Sequence, residues 1–250
     1  MIIKKNYFYP TLLLLTYIII IAITYLTFKD HGVHIEEKFH RLNGLFWLKY
    51  VSDLFGSEYL SLLTDLKINN ISDYTLNKAG SYMDKYGVIL DLPMAFFEIV
   101  FNIEDIDTIY YLKQFISFVI FLISSFFFYK IISIRFYNPF LSYIGTILFI
   151  TSPRIFGDSF LYKDVLFLSF FVITLYYFIK CLKNLSYKNL LFFSLFSAIS
   201  FNLRLFGFIF PLAFFSLLIL KNFKRSNTYN YIKFYFIYFF VMLIFIFLLS

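Results

Sequence analysis

YYLKQFISFVIFLISSFFFYKIIS, residues 110–133, is an unbroken apolar run in which a lysine near each end is the whole complement of charge. A helix rises about 1.5 Å per residue, so a run of this kind covers the roughly 30 Å hydrocarbon core of a bilayer. Further apolar stretches follow the same reading at Tyr7–Phe28, Pro139–Ser152, Val165–Leu182, Leu190–Leu203, Phe206–Leu220 and Tyr231–Leu249. Together they predict an all-α polytopic membrane protein with about seven transmembrane helices. Three of the stretches are short for the core, and Pro139, Pro153 and Gly207 lie where they break.

Composition agrees. The 250 residues are 61% hydrophobic and 25% aromatic, with a mean hydropathy of +0.78, more apolar surface than a soluble domain can bury. The net charge of +7 reads as membrane topology rather than as a nucleic-acid footprint. The single cysteine, Cys181, excludes an internal disulfide framework.

Charge distribution orders the spans. Of fifteen acids, thirteen lie between Asp30 and Asp107, and the other two are Asp158 and Asp164. Basic residues without acids mark the other connections: Lys130 and Arg135; Lys180, Lys183 and Lys188; Lys221, Lys224, Arg225 and Lys233. The positive-inside rule makes these loops cytoplasmic, together with the N-terminus and its Lys4 and Lys5. The first span reads as an uncleaved signal anchor of a multi-pass protein, with the plasma (inner) membrane as the expected location. The 29–109 loop, the 153–164 loop and the turn at Arg204 then share the extracytoplasmic side. The first loop carries expected interfacial helices at Glu36–Phe55 and, started by Pro93, at Met94–Phe101, with a polar middle at Lys67–Lys85. Residues 1–250 read as one transmembrane domain, and the stop at Ser250 inside an apolar segment reads as a partial sequence.

Three constellations carry chemistry. In HGVHIEEKFHRLNG, residues 31–44, a helix begun near Glu36 puts Glu36, His40 and Asn43 on one face. A carboxylate there suits proton abstraction from a hydroxyl. The plainer account is that Glu36 and Glu37 favour a helix N-terminus. The spacing of His31, His34 and His40 matches no compact zinc pattern. In SPRIFGDSFLYKD, residues 152–164, Arg154, Asp158, Lys163 and Asp164 crowd one short connection. Asp164 suits a helix cap, and Lys163 suits either a phosphate or snorkelling to lipid headgroups. In NLRLFG, residues 202–207, Arg204 lies between two apolar segments, where an arginine needs a partner. A lipid phosphate and a loop carboxylate are equal candidates.

The order of these pieces resembles the GT-C class of membrane glycosyltransferases, and within it the protein O-mannosyltransferase-like branch (glycosyltransferase family 39-like). The family's outer loop opens with an acidic pair, commonly Asp-Glu, then a histidine and Asn-Gly; here Glu36-Glu37, His40 and Asn43-Gly44 stand in that order. Ser152–Asp164 is similar to its proline-containing outer loop ending in an acid, and Arg204-Leu205-Phe206-Gly207 to its later Arg-x-x-Gly-like turn. The first acid departs from the usual Asp, which leaves Glu36 and Glu37 as alternative bases. Family members are about twice this length, which points to a missing C-terminal part.

The resemblance implies an inverting sugar transfer from a polyprenyl-phosphate donor to an acceptor hydroxyl on the extracytoplasmic side. Glu36 or Glu37 would be the base and Asp164 would orient the acceptor or a cation. Arg204 and Lys163 would hold the donor phosphate, with His40, Asn43, Arg154 and Asp158 in support. No cofactor is required; a divalent metal is not indicated, and no metal ligands are assigned. The partners are the lipid-linked donor, membrane lipid and an acceptor that is a protein, a lipid or a glycan, with no nucleic acid. A transporter or flippase of a lipid-linked or anionic substrate is the competing reading, and an inactive truncated homologue a third. Transporters, however, place polar groups at the midplane on broken helices, whereas these acids lie in the loops.

Overall fold

The computed structural model describes residues 8–27, 32, 37–69, 88–161, 164–222 and 228–249. Among these residues the chain is helical throughout its regular structure, with no strand. The helices are α1 (Phe8–Thr27), α2 (Glu37–Leu54), α3 (Glu58–Asn69), α4 (Asp91–Val100), α5 (Ile106–Phe136), α6 (Pro139–Thr151) and α7 (Pro153–Asp158). They continue with α8 (Asp164–Lys183), α9 (Tyr187–Leu203), α10 (Ile209–Asn222) and α11 (Thr228–Leu249). A 3₁₀ turn, Leu205–Phe208, joins α9 to α10.

By length and composition α1, α5 and α8 suffice to cross a membrane. Shorter apolar helices cover Pro139–Thr151, Leu205–Leu217 and Ile232–Phe247. The all-helical membrane architecture therefore stands, and each expected apolar stretch is helical over nearly all of its described residues. The expected breaks are real: Pro139 and Pro153 each open a helix, and Gly207 sits in the 3₁₀ turn. Proline suits a first turn because its missing N–H would have no intrahelical partner there. Two short helices escape the sequence reading, α3 and α7. Lys67, assigned to a polar middle, is the basic residue of α3's last turn; residues 70–87 lie outside the described residues.

The long helices form a bundle that pairs both sequence neighbours and helices separated in sequence. α5 packs on both α6 and α8, α8 on α9, and α9 on α11. The cap chemistry explains the turns. Asp105 caps α5, accepting from the Asp107 and Thr108 backbone amides. Its hydrogen bonds, the one from the Thr108 hydroxyl foremost, hold its carboxyl below the usual carboxylate range. α5 ends on Tyr137 in the left-handed conformation (φ 53°), and Asn138 immediately caps α6.

Aromatic rings fill the α8–α11 core, where Phe178, Phe193, Phe210, Phe214 and Tyr238 are buried. Between the helices small hydroxyl residues let backbones approach. Thr174 of α8 meets Ser200 of α9 at 3.1 Å, and Ser194 donates to the Tyr238 carbonyl of α11 at 3.3 Å. α1 is tied on by Tyr17 to Ser125 (2.7 Å) and by Thr16 to Tyr143 (3.2 Å).

α2, α3 and α4 form a separate layer around Leu42, Leu45, Leu48, Ile68, Ala95 and Ile99. α2 and α4 approach closely because residue 44 is glycine. A Cβ there would stand 2.7 Å from the Asp91 carbonyl carbon and 3.2 Å from the Ala95 Cβ. Gly44→Ala should therefore push the two helices apart and destabilise the fold by about 1–3 kcal/mol, the usual cost of overpacking. Thermal unfolding in detergent checks this; an unshifted midpoint would mean that the α2–α4 contact is slack.

Candidate functional site

Three helices bring polar residues together, at the three-, four- and seven-residue spacings that line one helical face. α2 contributes Glu37, His40 and Arg41; α4 contributes Asp91 and Glu98; α5 contributes Tyr110, Lys113 and Gln114. All are buried: Glu37, Glu98 and Lys113 are each 1% exposed, and Asp91 3%. Such a density of buried charge is sustained only by mutual pairing.

The pairing is specific. One oxygen of Asp91, Oδ2, takes the Asn43 amide N–H at 2.9 Å and lies 3.0 Å from His40 Nδ1. Arg41 grips Glu98 in a fork, Nη2 to Oε1 at 2.7 Å and Nε to Oε2 at 3.0 Å. Burial works against the charge on Arg41. Its bonds to Glu98 and the charge beside it prevail, so its pKa lies above that of an ordinary arginine. Gln114 donates to the Gly32 carbonyl at 3.2 Å, fastening the chain ahead of α2 onto α5. Among the described residues, the second oxygen of Asp91 and the carbonyl oxygen of Asn43 are buried without a hydrogen bond.

A second pairing lies at the end of the bundle. Arg204, the C-cap of α9, donates from its guanidinium to Asp164, in the first turn of α8. Of the two partners expected for Arg204, the structure supplies the carboxylate. The pair is open to solvent: the Asp164 side chain is 72% exposed and Arg204 40%. Gly207 holds the turn in place, since a Cβ there would be 2.6 Å from the Ser200 carbonyl carbon.

One apolar cluster borders both sites. Met94 of α4 and Leu166 of α8 are buried in a single apolar cluster, with Leu90, Leu112, Ile116, Ile120 and Leu203 packed on it. Leu90 immediately precedes Asp91, Leu166 lies two residues after Asp164, and Leu203 immediately precedes Arg204. A shared hydrophobic contact thus joins the acid-rich layer to the Asp164–Arg204 pair.

The expected site residues divide accordingly. His40 and Asn43 do share a face, turned to Asp91. Glu37 opens α2 inside the cluster. Glu36, Lys163, His31 and His34 lie outside the described residues. Arg154 and Asp158 sit on α7 as a loose pair, 3.9 Å apart, with the arginine side chain 94% exposed. No group of three or more His, Cys, Asp or Glu is arranged to hold a metal ion among the described residues.

Sequence reasoning passed over Asp91, Glu98, Arg41, Lys113 and Gln114. The signal was present in the spacing. Asp91 and Glu98 are seven residues apart within an otherwise apolar helix, and Lys113 stands near the start of a long apolar run. Isolated charges of this kind inside apolar segments mark buried pairs.

No curated protein and no solved structure matches the chain. The model of one protein family does, along residues 97–250, which take in the whole bundle from α5 onward with Asp164 and Arg204, while Glu36, Glu37, His40 and Asp91 fall ahead of it. With well over half its length matched in this way, the chain belongs to the dolichyl-phosphate-mannose-protein mannosyltransferase family and is a membrane glycosyltransferase of the GT-C type.

Proposed function

We propose that the protein transfers a sugar from a polyprenyl-phosphate donor to an acceptor hydroxyl, with inversion at the anomeric carbon, on the extracytoplasmic side of the membrane. The observation that carries this reading is the apolar cluster of Met94, Leu166 and Leu203, which borders both the exposed arginine–carboxylate pair and the acid-rich polar layer. A lipid-linked sugar presents its phosphate at the membrane interface and its chain among the helices. Arg204 is positioned for such a phosphate, and Lys163 follows it in the sequence reading. As the sugar–phosphate bond breaks, negative charge grows on the leaving phosphate, and a bidentate guanidinium stabilises it.

Asp164 keeps Arg204 oriented before the donor arrives and orients the acceptor or a cation once the phosphate takes over the guanidinium. The base is Glu36 or Glu37, which removes the proton of the attacking hydroxyl. His40, Asn43 and Asp91 support that carboxylate by fixing α2 against α4. The sugar, the carrier lipid and the acceptor (protein, lipid or glycan) are to be identified by assaying purified protein with defined polyprenyl-phosphate sugars.

Arg204→Ala should weaken donor binding at least tenfold, since a charge-assisted contact contributes about 1.5–3 kcal/mol. Donor-lipid titration measures this, and an unaltered affinity would reassign Arg204 to holding the α8–α9 end together. Consumption of donor with no glycosylated product would favour the transporter reading.

A further inference from the structure

The opposite end of the bundle carries cations without anions. Between Asp107 and Asp158 the sequence has no acid, and none follows Asp164. Two lysines of this region are brought together rather than spread apart. Lys130 of α5 lies over the rings of Phe126 (4.2 Å), Phe127 (5.1 Å) and Tyr176 (5.6 Å). Lys180 of α8 lies over the same Tyr176 ring at 5.4 Å. Both lysines are half-buried, and Tyr176, the ring that both approach, is buried. Among the described residues neither ammonium is paired with a carboxylate.

Two like charges approaching one ring repel each other, and cation–π contacts offset that repulsion only weakly. The neighbouring lysine is disposed differently. Lys183 reaches the Ile134 carbonyl (3.5 Å) and the Tyr137 hydroxyl (3.4 Å), completing the C-terminal end of α5. Lys130 lies inside its helix, and Lys180, although in the last turn of α8, turns to the Tyr176 ring. Their nearest acids along their own helices are remote. Lys180 is sixteen residues from Asp164, or about 24 Å at 1.5 Å per residue, and Lys130 is farther still from Asp107. That separation approaches the thickness of the hydrocarbon core, so the two lysines and the Asp164–Arg204 pair belong to opposite interfaces.

We infer that Lys130 and Lys180, on the Phe126–Phe127–Tyr176 floor, form a binding site for the phosphate of an anionic phospholipid headgroup in the groove between α5 and α8. The phosphate supplies the missing negative charge between two ammonium groups. The aromatic floor excludes water from one side, and the acyl chains run along the apolar flanks of the two helices. The site is independent of sugar transfer and stands whether or not the reaction proposed above is correct.

The test is native mass spectrometry of the protein released from nanodiscs of defined composition. With phosphatidylglycerol the wild type should keep one lipid through stepwise delipidation, and with phosphatidylcholine none. Each lysine near an anionic headgroup contributes about 1 kcal/mol, so K130Q/K180Q should lose about thirtyfold in apparent phosphatidylglycerol affinity. K183Q should retain the lipid. K130R/K180R, which keeps both charges, should restore binding and guards against loss of fold in the glutamine variant. Millimolar inorganic phosphate should leave the bound lipid in place. Equal retention by K130Q/K180Q, equal retention of phosphatidylcholine, or displacement by free phosphate would overturn the assignment.

Discussion

A chain carrying glutamine at both Glu36 and Glu37 is expected to insert into the membrane and to lose sugar transfer by about a hundred- to ten-thousandfold, the range for removing a general base. The two positions differ in what else they do. Glu37 is 1% exposed, and its charge acts on Tyr110 and Lys113 of α5. Glu37→Gln therefore also alters a buried balance of three carboxylates against Arg41 and Lys113, and its melting temperature must be followed beside its turnover. The single variant that reproduces the double while keeping its fold names the base. Measurement is of glycosylated product formed from a defined polyprenyl-phosphate sugar. Undiminished turnover by a full-length double variant would remove the acidic pair from the reaction and turn attention to Asp91, whose second carboxylate oxygen is held by no hydrogen bond among the described residues.

The distribution of acids carried most of what was legible beforehand. Confining them to two windows predicts that both windows build one polar site; the apolar cluster of Leu90, Met94, Leu166 and Leu203 lies beside residues of both windows. The apolar stretches were legible because a bilayer-length run of Phe, Ile and Leu has few alternatives to helix. Helix ends shifted by a few residues, as where α5 reaches back to Ile106 because Asp105 caps it.

What escaped depended on contacts between distant residues. α3 mixes Asp65 and Lys67 with leucines, so neither its period nor its composition stood out. The sequence places Glu98 in a surface helix, Met94–Phe101, and leaves Asp91 ahead of it. Their burial follows from His40, Asn43 and Arg41, some fifty residues earlier, and a single sequence does not display that pairing. Arg204 had two chemically sound partners, and forty residues separate it from the one it takes.

Glu98→Ala is expected to destabilise the protein by about 3–5 kcal/mol, because it leaves the Arg41 guanidinium buried without its anion. The side chains of the pair are 7% and 1% exposed, so water cannot take over the lost bonds. In a domain of this length that corresponds to a melting point lower by on the order of 10 °C. Arg41→Ala should do the same from the other side, stranding Glu98. The informative comparison is the double variant Arg41→Met/Glu98→Leu. Replacing both charges by apolar groups of similar volume removes the desolvation penalty together with the attraction, and should return most of the lost stability. A double variant as unstable as either single would mean that the fork itself, rather than the avoidance of a stranded charge, holds α2 to α4. Activity then separates structure from chemistry. The fork sits one helical turn from Glu37 and on the same helix as Asp91. A double variant that melts normally yet transfers sugar slowly would show that the buried pair sets the angle at which α2 presents its carboxylate.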